Sequence, residues 1–220
     1  MSNSTHKDLS ILLELHYLPS LQYFSKLAHF QSVVIEQCEN YTKGSYRNRC
    51  HIAGVNGLLR LSIPLRKGKN EQQSIKEVQI AYDQPWASHH WSSIRSAYGN
   101  APYFDYYAEE LQPIYQQKWT FLFDFNWTLL QKINDLIGIT SSIQKTESYQ
   151  KETDDLLLDY RNVIHPKAHL QGNDPYFKPK KYPQVFEEKT GFLPNLSILD
   201  LLFCSGPQSL LELEQMYHVP

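Results

Sequence analysis

Glycine is scarce in this sequence, 9 of 220 residues. No Gly-x-Gly-x-x-Gly and no Gly-Lys-Ser/Thr occurs, which excludes the glycine-rich phosphate loops of dinucleotide- and triphosphate-binding folds. Cysteine is scarcer still. Cys38, Cys50 and Cys204 are odd in number and far apart, a pattern of reduced thiols in a cytoplasmic protein rather than of a disulfide framework. The Asn-x-Ser/Thr triplets at Asn3, Asn40, Asn126 and Asn195 then carry no meaning, because they matter only in a secreted chain. Long apolar runs are absent: none approaches the roughly 20 residues that span a bilayer, and the apolar stretch 9–15 is interrupted by Ser10 and Glu14 behind a polar start at 1–8. Neither a leader nor membrane insertion is expected. No excess of one charge exists, with 21 Lys+Arg against 23 Asp+Glu, and no basic stripe, so nucleic acid is not an expected partner. The short basic runs at 66–69 and 178–181 contain Gly or Pro and read as solvated turns. Nucleophile signatures such as Gly-x-Ser-x-Gly, or a Cys in a Cys-His context, are also missing.

What is present divides into two halves. Residues 11–15 read as a strand, 20–29 as a helix with Leu21, Phe24, Leu27 and Ala28 on one face, and 32–37 as a second strand. This β-α-β unit predicts a parallel pair. The spans 48–53 and 58–64 read as a hairpin closed by Val55-Asn56-Gly57, and 75–82 alternates as a further strand. Beyond Pro85 the spacing turns helical over 86–98, 105–117 and 120–137, with Gly138 as a stop. Residues 141–153 are polar and aperiodic, a loop. Pro166, Pro175, Pro179 and Pro183 exclude a long helix after it. Order returns at Ser197-Ile198-Leu199-Asp200, where Asp200 suits the reciprocal cap of Ser197. The expected class is α/β: a β-α-β unit and mixed sheet in 9–85, a helical part in 86–140, and a loop-rich segment with C-terminal helices in 141–220, all one domain.

The densest polar stretch, 39–52, follows the second strand, where α/β proteins place ligands. There Lys43, Arg47 and Arg49 supply cations, Arg with a planar fork for phosphate or carboxylate. An extended backbone puts Arg47 and Arg49 on one face and Asn48 on the other, whereas a turn lets all three converge. His16 stands where the first strand ends, with Pro19 shaping the loop and Ser20 as N-cap of a helix whose N-terminus favours anions. Nucleotidylyltransferases place a His-x-Gly-His pair there, but Pro19 occupies the second position. His90 shares a helical stripe with Trp86, Ile94 and Tyr98. The pair His165 and His169 has metal-like spacing but Pro166 opposes the helix it needs, and no metal is expected. Among 15 tyrosines, Tyr17, Tyr41, Tyr46, Tyr103 and Tyr182 lie in polar segments, where a phenol ring packs on a sugar and its tip bonds the hydroxyls.

Four ordered motifs resemble the WbqC-like family. Leu15-His16-Tyr17-Leu18-Pro19 with Gln22-Tyr23-Phe24 matches its first element; Tyr41, Lys43, Tyr46, Asn48 and Arg49 match the second. Trp86, His90, Tyr98, Ala101, Pro102, Tyr103 and Phe104 match the third. Tyr182 and Gln184, followed by Phe192, Pro194, Leu196, Ser197 and 200–203, match the fourth. Together they cover most of 10–210. This sequence departs from the family where His16 or its neighbour replaces a Gln, where Tyr46 replaces a Trp, and through 141–174.

The resemblance implies a role among enzymes of surface-polysaccharide synthesis, with acyl or aminoacyl transfer to an amino sugar or nucleotide sugar as the expected chemistry. His16 and His90 are then the candidate acid-base residues, and Tyr17, Tyr41, Lys43, Tyr46, Asn48, Arg49, Tyr103, Tyr182 and Gln184 the candidate binding residues for an anionic or sugar ligand. A non-catalytic carbohydrate- or nucleotide-binding component and a nucleotidylyltransferase-like enzyme are the alternatives. No cofactor or oligomeric state can be read from the sequence.

Overall fold

The computed structural model describes residues 9–66, 73–151, 153 and 156–219. The polar start 1–8 and residues 67–69 of the first basic run lie outside them. Its centre is a four-stranded parallel sheet of order β5-β2-β1-β6. Strand β1, Ser10–Glu14, lies between β2, Ser32–Glu36, and β6, Leu157–Asp159, while β5, Ser142–Lys145, flanks β2. Ile11, Leu12 and Leu13 are all fully buried, as a continuous apolar run must be when both faces of a parallel strand are covered.

Helix α1, Leu21–His29, crosses from β1 to the parallel β2 and buries Leu21, Tyr23, Phe24 and Leu27. Ser20 holds the N-cap position without a side-chain bond. The exposed end expected for an anion is closed instead by the C-terminal segment, because Leu196 O accepts from Leu21 N and Asn195 Oδ1 from Gln22 N, each at 2.9 Å.

A separate antiparallel hairpin joins β3, Arg49–Gly54, to β4, Gly57–Ser62. Val55 and Asn56 make its two-residue turn, and Gly57 takes a φ of +106°, a region that glycine enters freely. The expected mixture of strand directions is thus divided between two sheets.

The alternating span 75–82 does not form a strand. Residues Ile75–Glu77 wind into a 3-10 turn, and single bridges tie Gln79 to Phe121 and Ile80 to Leu65. Its apolar side chains are buried without a ladder. The polar segment 141–153, expected as loop, instead contributes β5, whose Ser142 and Ile143 align with Ser32 and Val33 of β2.

The second half is mostly helical, with α2 (Trp86–Tyr98), α3 (Phe104–Gln116) and α4 (Leu122–Ile137) packed in succession. Gly138 stops α4 at φ +81°, its N–H donating to Asn134 and Asp135. A short α5, Glu187–Thr190, precedes α6, Ile198–Ser205, and α7, Ser209–Met216; α7 folds back on α1. Ser197 does cap α6, accepting from Leu199 N. Asp200 is not its reciprocal partner. Ser197 N donates to His51 O, while the Asp200 carboxylate accepts from Tyr182 Oη at 2.6 Å and Gln184 Nε2 at 2.8 Å. Among the described residues no helix is long and apolar enough to cross a membrane.

Candidate functional site

Sheet growth reverses between β5 and β6: the chain adds β2 and β5 on one side of β1, then crosses to add β6 on the other. Open α/β sheets bind ligands beyond the carboxyl ends of their strands at such a switch point. Here Glu14 ends β1 with His16 beyond it, Glu36 ends β2 with Glu39 beyond it, and Arg161 and Asn162 follow β6.

Glu14 is 1% exposed and His16 0%. His16 Nε2 lies 3.1 Å from Glu14 Oε1, and Asn162 N faces both oxygens of the same carboxyl at 3.1 and 3.0 Å. Arg47, also fully buried, forks onto Glu39 through Nε at 2.7 Å and Nη2 at 2.5 Å. It reaches Asn162 Oδ1 at 3.2 Å and brings Nη1 to 3.7 Å from Glu14. Burial pushes the Glu14 carboxyl up, yet Arg47 and His16 outweigh it and hold it down at about 2. Burial pushes the His16 imidazole down against the upward pull of Glu14. The site therefore presents an ionised carboxylate beside an imidazole that resists protonation. Among the described residues neither His16 nitrogen nor Arg47 Nη1 has a partner of hydrogen-bond geometry, Nε2 meeting Glu14 by proximity of charge instead, and buried polar atoms are rarely left so.

Tyr46 and Tyr23 flank the His16 ring at 5.4 and 4.9 Å between centroids. Tyr46 also meets His51, its Oη 3.3 Å from Nδ1. Nearby, His165 is anchored by Lys167 N, which donates to its Nδ1 at 3.1 Å. A Cβ on Gly44 would stand 3.4 Å from Lys167 Nζ, so the loops 40–45 and 162–167 meet beside the cluster. Outward from it, Arg161 bridges Glu36 and Asp159 at 3.1 and 2.6 Å and lies over the Tyr149 ring.

The expected residues separate into three groups. His16, Tyr46 and Arg49 belong to this end of the sheet, with the buried Tyr41 and the exposed Lys43 in the loop before Tyr46. Arg47 and Arg49 neither share a face nor converge. The 3-10 turn Tyr46–Asn48 ends between them, sending Arg47 into the core and leaving Arg49 half-buried on β3. Asn48 pins the hairpin through Nδ2 to Ile63 O at 2.9 Å.

His90 and Tyr17 form a second group: His90 Nδ1 is 2.9 Å from Tyr17 Oη, which lies 2.8 Å from Tyr115 Oη. Trp86, His90, Ile94 and Tyr98 are all buried along α2 as their spacing predicts. Burial pushes the His90 imidazole down to about 4. Tyr17 turns away from the ring of its neighbour His16, which packs on Tyr23 and Tyr46.

Tyr182, Gln184 and Tyr103 make the third group, around α6. Tyr182 and Gln184 bond Asp200, and Gln184 lines a cavity of about 480 Å³ with Asn100, Pro102 and Cys204. Tyr103 packs its ring over Gly206.

Sequence reasoning misses Glu14, Glu39 and Asn162. One signal was available: Glu14 closes an otherwise apolar run, and a carboxylate there needs a buried partner.

Fold and site together define an α/β protein with a buried carboxylate, imidazole and guanidinium at the switch point of a parallel sheet. The WbqC-like protein family matches residues 15–175, and the chain belongs to it. A relative described as uncharacterised, Rv1507c of Mycobacterium tuberculosis, is 27% identical over 219 residues, 90% of this chain and 94% of its own. No solved structure matches.

Proposed function

We propose that the protein is a transferase of surface-polysaccharide synthesis that moves an acyl or aminoacyl group onto an amino sugar or nucleotide sugar, with His16 as general base. The observation that carries this reading is the 3.1 Å approach of Glu14 to His16 at the switch point. A neutral imidazole has a lone pair free for a proton, and the adjacent carboxylate stabilises the imidazolium that forms against the burial that disfavours it. As the sugar amine attacks the donor carbonyl, the C–N bond forms and the amine proton passes to His16. The bond to the donor's leaving group then breaks, and His16 returns the proton to the departing atom. Arg47 fixes Glu14 and Glu39 around the reacting centre. Since His16 is fully buried, entry requires the loops 40–45 and 162–167 to part at Gly44 and Lys167.

That same burial favours a second reading, a non-catalytic sugar- or nucleotide-binding component in which the cluster is a structural clamp. The two separate by experiment. A thermal-shift screen with nucleotide sugars, amino sugars, acyl-CoA and aminoacyl donors identifies the reactants, and His16→Ala is then assayed for turnover and affinity. A general base contributes roughly 10²–10⁴-fold, so kcat falls by that factor with affinity retained. Lost affinity alone selects the binding component, and unchanged kcat removes His16 from the chemistry. Mg-dependent pyrophosphate release selects a nucleotidylyltransferase-like enzyme.

A further inference from the structure

The proposed reaction leaves one face of the β3–β4 hairpin unused. Alternation along β3 turns Cys50 and Ile52 into the core and Arg49 and His51 to the opposite side. The register sets His51 across from Arg60 and Arg49 across from Ser62, so two guanidiniums and an imidazole share one face.

Two guanidiniums held on one face of a hairpin repel one another. Neither Arg49 nor Arg60 has a carboxylate partner among the described residues, in contrast to Arg47 and Arg161. Nε of Arg49 is buried with no hydrogen-bond partner among the described residues. The two guanidiniums add to burial in pushing the His51 imidazole down, a sign of positive potential on this face. Tyr46 joins this face to the cluster beneath, packing on both His16 and His51 at 5.4 Å between ring centroids.

We propose that Arg49, His51 and Arg60 form a diphosphate-binding subsite. Arg49 and Arg60 are diagonal cross-strand neighbours, about 7–8 Å apart at the backbone. That spacing lets each fork take a separate phosphate, whereas a single phosphate engages only one well. His51 lies across from Arg60 and two residues along β3 from Arg49, with its Nδ1 turned to Tyr46. The substituent on the diphosphate extends past Tyr46 toward His16. This assignment uses the transferase reading only to orient that substituent, and anion binding stands without it.

The test is isothermal titration of the full chain with inorganic pyrophosphate and, separately, inorganic phosphate. Arg60→Gln is the main variant, since Arg60 is exposed and its replacement leaves the fold undisturbed. Arg49→Gln is the second, checked by its unliganded thermal midpoint. The expected result is pyrophosphate binding at least tenfold tighter than phosphate, weakened at least tenfold by Arg60→Gln and reduced by added salt. Uridine diphosphate and geranyl diphosphate are then compared with pyrophosphate. A gain from the nucleoside marks a nucleotide-linked substrate and a gain from the isoprenyl chain a lipid-linked one. Absence of pyrophosphate binding to the unmodified chain, equal affinity for phosphate, or an unchanged Kd in Arg60→Gln overturns the proposal. Because the readout is binding without turnover, a failed transfer assay leaves it intact.

Discussion

Replacing Arg47 with Met tests whether the buried cluster is held by that one guanidinium. Arg47 supplies both bonds of the fork on Glu39, the contact with Asn162 and the nearby charge that faces Glu14. Methionine fills much of the volume and supplies none of these, leaving carboxyls at 1% and 6% exposure without their cation. Breaking a buried pair from one side costs about 3–5 kcal/mol, which in a chain of this size lowers Tm by about 6–20 °C. Acid dependence adds a second readout. In the parent protein Glu14 sits at about 2, below its ordinary value of 4.5. The unfolded state therefore takes the proton first, and the stabilisation, roughly 3 kcal/mol, is present above pH 4.5 and lost as the pH falls toward 2. Without Arg47, burial's upward push on Glu14 loses its main opponent, and that acid-dependent loss disappears. Urea titrations followed by tryptophan fluorescence at pH 7, 4.5 and 3 measure both effects. A loss under about 1 kcal/mol at pH 7, or an unchanged fall in stability between pH 4.5 and 3, would refute the reasoning.

Three further outcomes follow from buried groups elsewhere. His90 sits at about 4 rather than 6.5, so its contribution is present above pH 6.5 and lost as the pH falls to 4, up to roughly 3 kcal/mol; urea midpoints at pH 7 and 4.5 will differ less in His90→Leu than in the parent. Lys26 is fully buried, 2.9 Å from Asp174 and over the rings of Tyr160, Phe177 and Tyr217. Lys26→Met will cost about 1–3 kcal/mol, the low side for a buried pair because Gln22 and Tyr160 still donate to Asp174; a gain in Tm would show the pair to be dispensable. At Gly206, where φ is +53°, a Cβ would stand 2.5 Å from the Tyr103 ring. Gly206→Ala will cost about 1–3 kcal/mol, and Tyr103→Ala in the same chain will recover part of that loss if ring overlap is the cause.

Elements with a complete period were legible. The apolar β1, the amphipathic α1, α2–α4 and the hairpin turn all lie within a few residues of where spacing puts them, and the family resemblance holds. Strands β5 and β6 were not legible, because Ser142–Lys145 and Leu157–Asp159 are four and three residues long. Both take their place from the neighbour they align with rather than from an apolar pattern. The span 75–82 errs the other way: its alternation buries side chains against three segments with no strand to pair with. At the site, neither the shared face of an extended backbone nor the convergence of a turn holds for Arg47 and Arg49, because the 3-10 turn ends between them. Asn162 meets Glu14 and Arg47 across more than a hundred positions, and although Glu14 in an apolar run signals a buried partner, nothing local says which residue supplies it.

The position of β6 has a consequence in time. Ser10 aligns with Leu157 across the sheet, so β1, one of the two interior strands, keeps an open edge until 147 further residues have been made. At about 5–20 residues per second that wait is roughly 7–30 s, during which an Ile-Leu-Leu run lies beside unpaired backbone, the kind of edge that recruits other chains. Fragments released from stalled synthesis before residue 157 should therefore aggregate where those released after 216 do not. The Glu14 carboxyl meets its Asn162 partner only when that edge closes, so the buried cluster is completed late in folding.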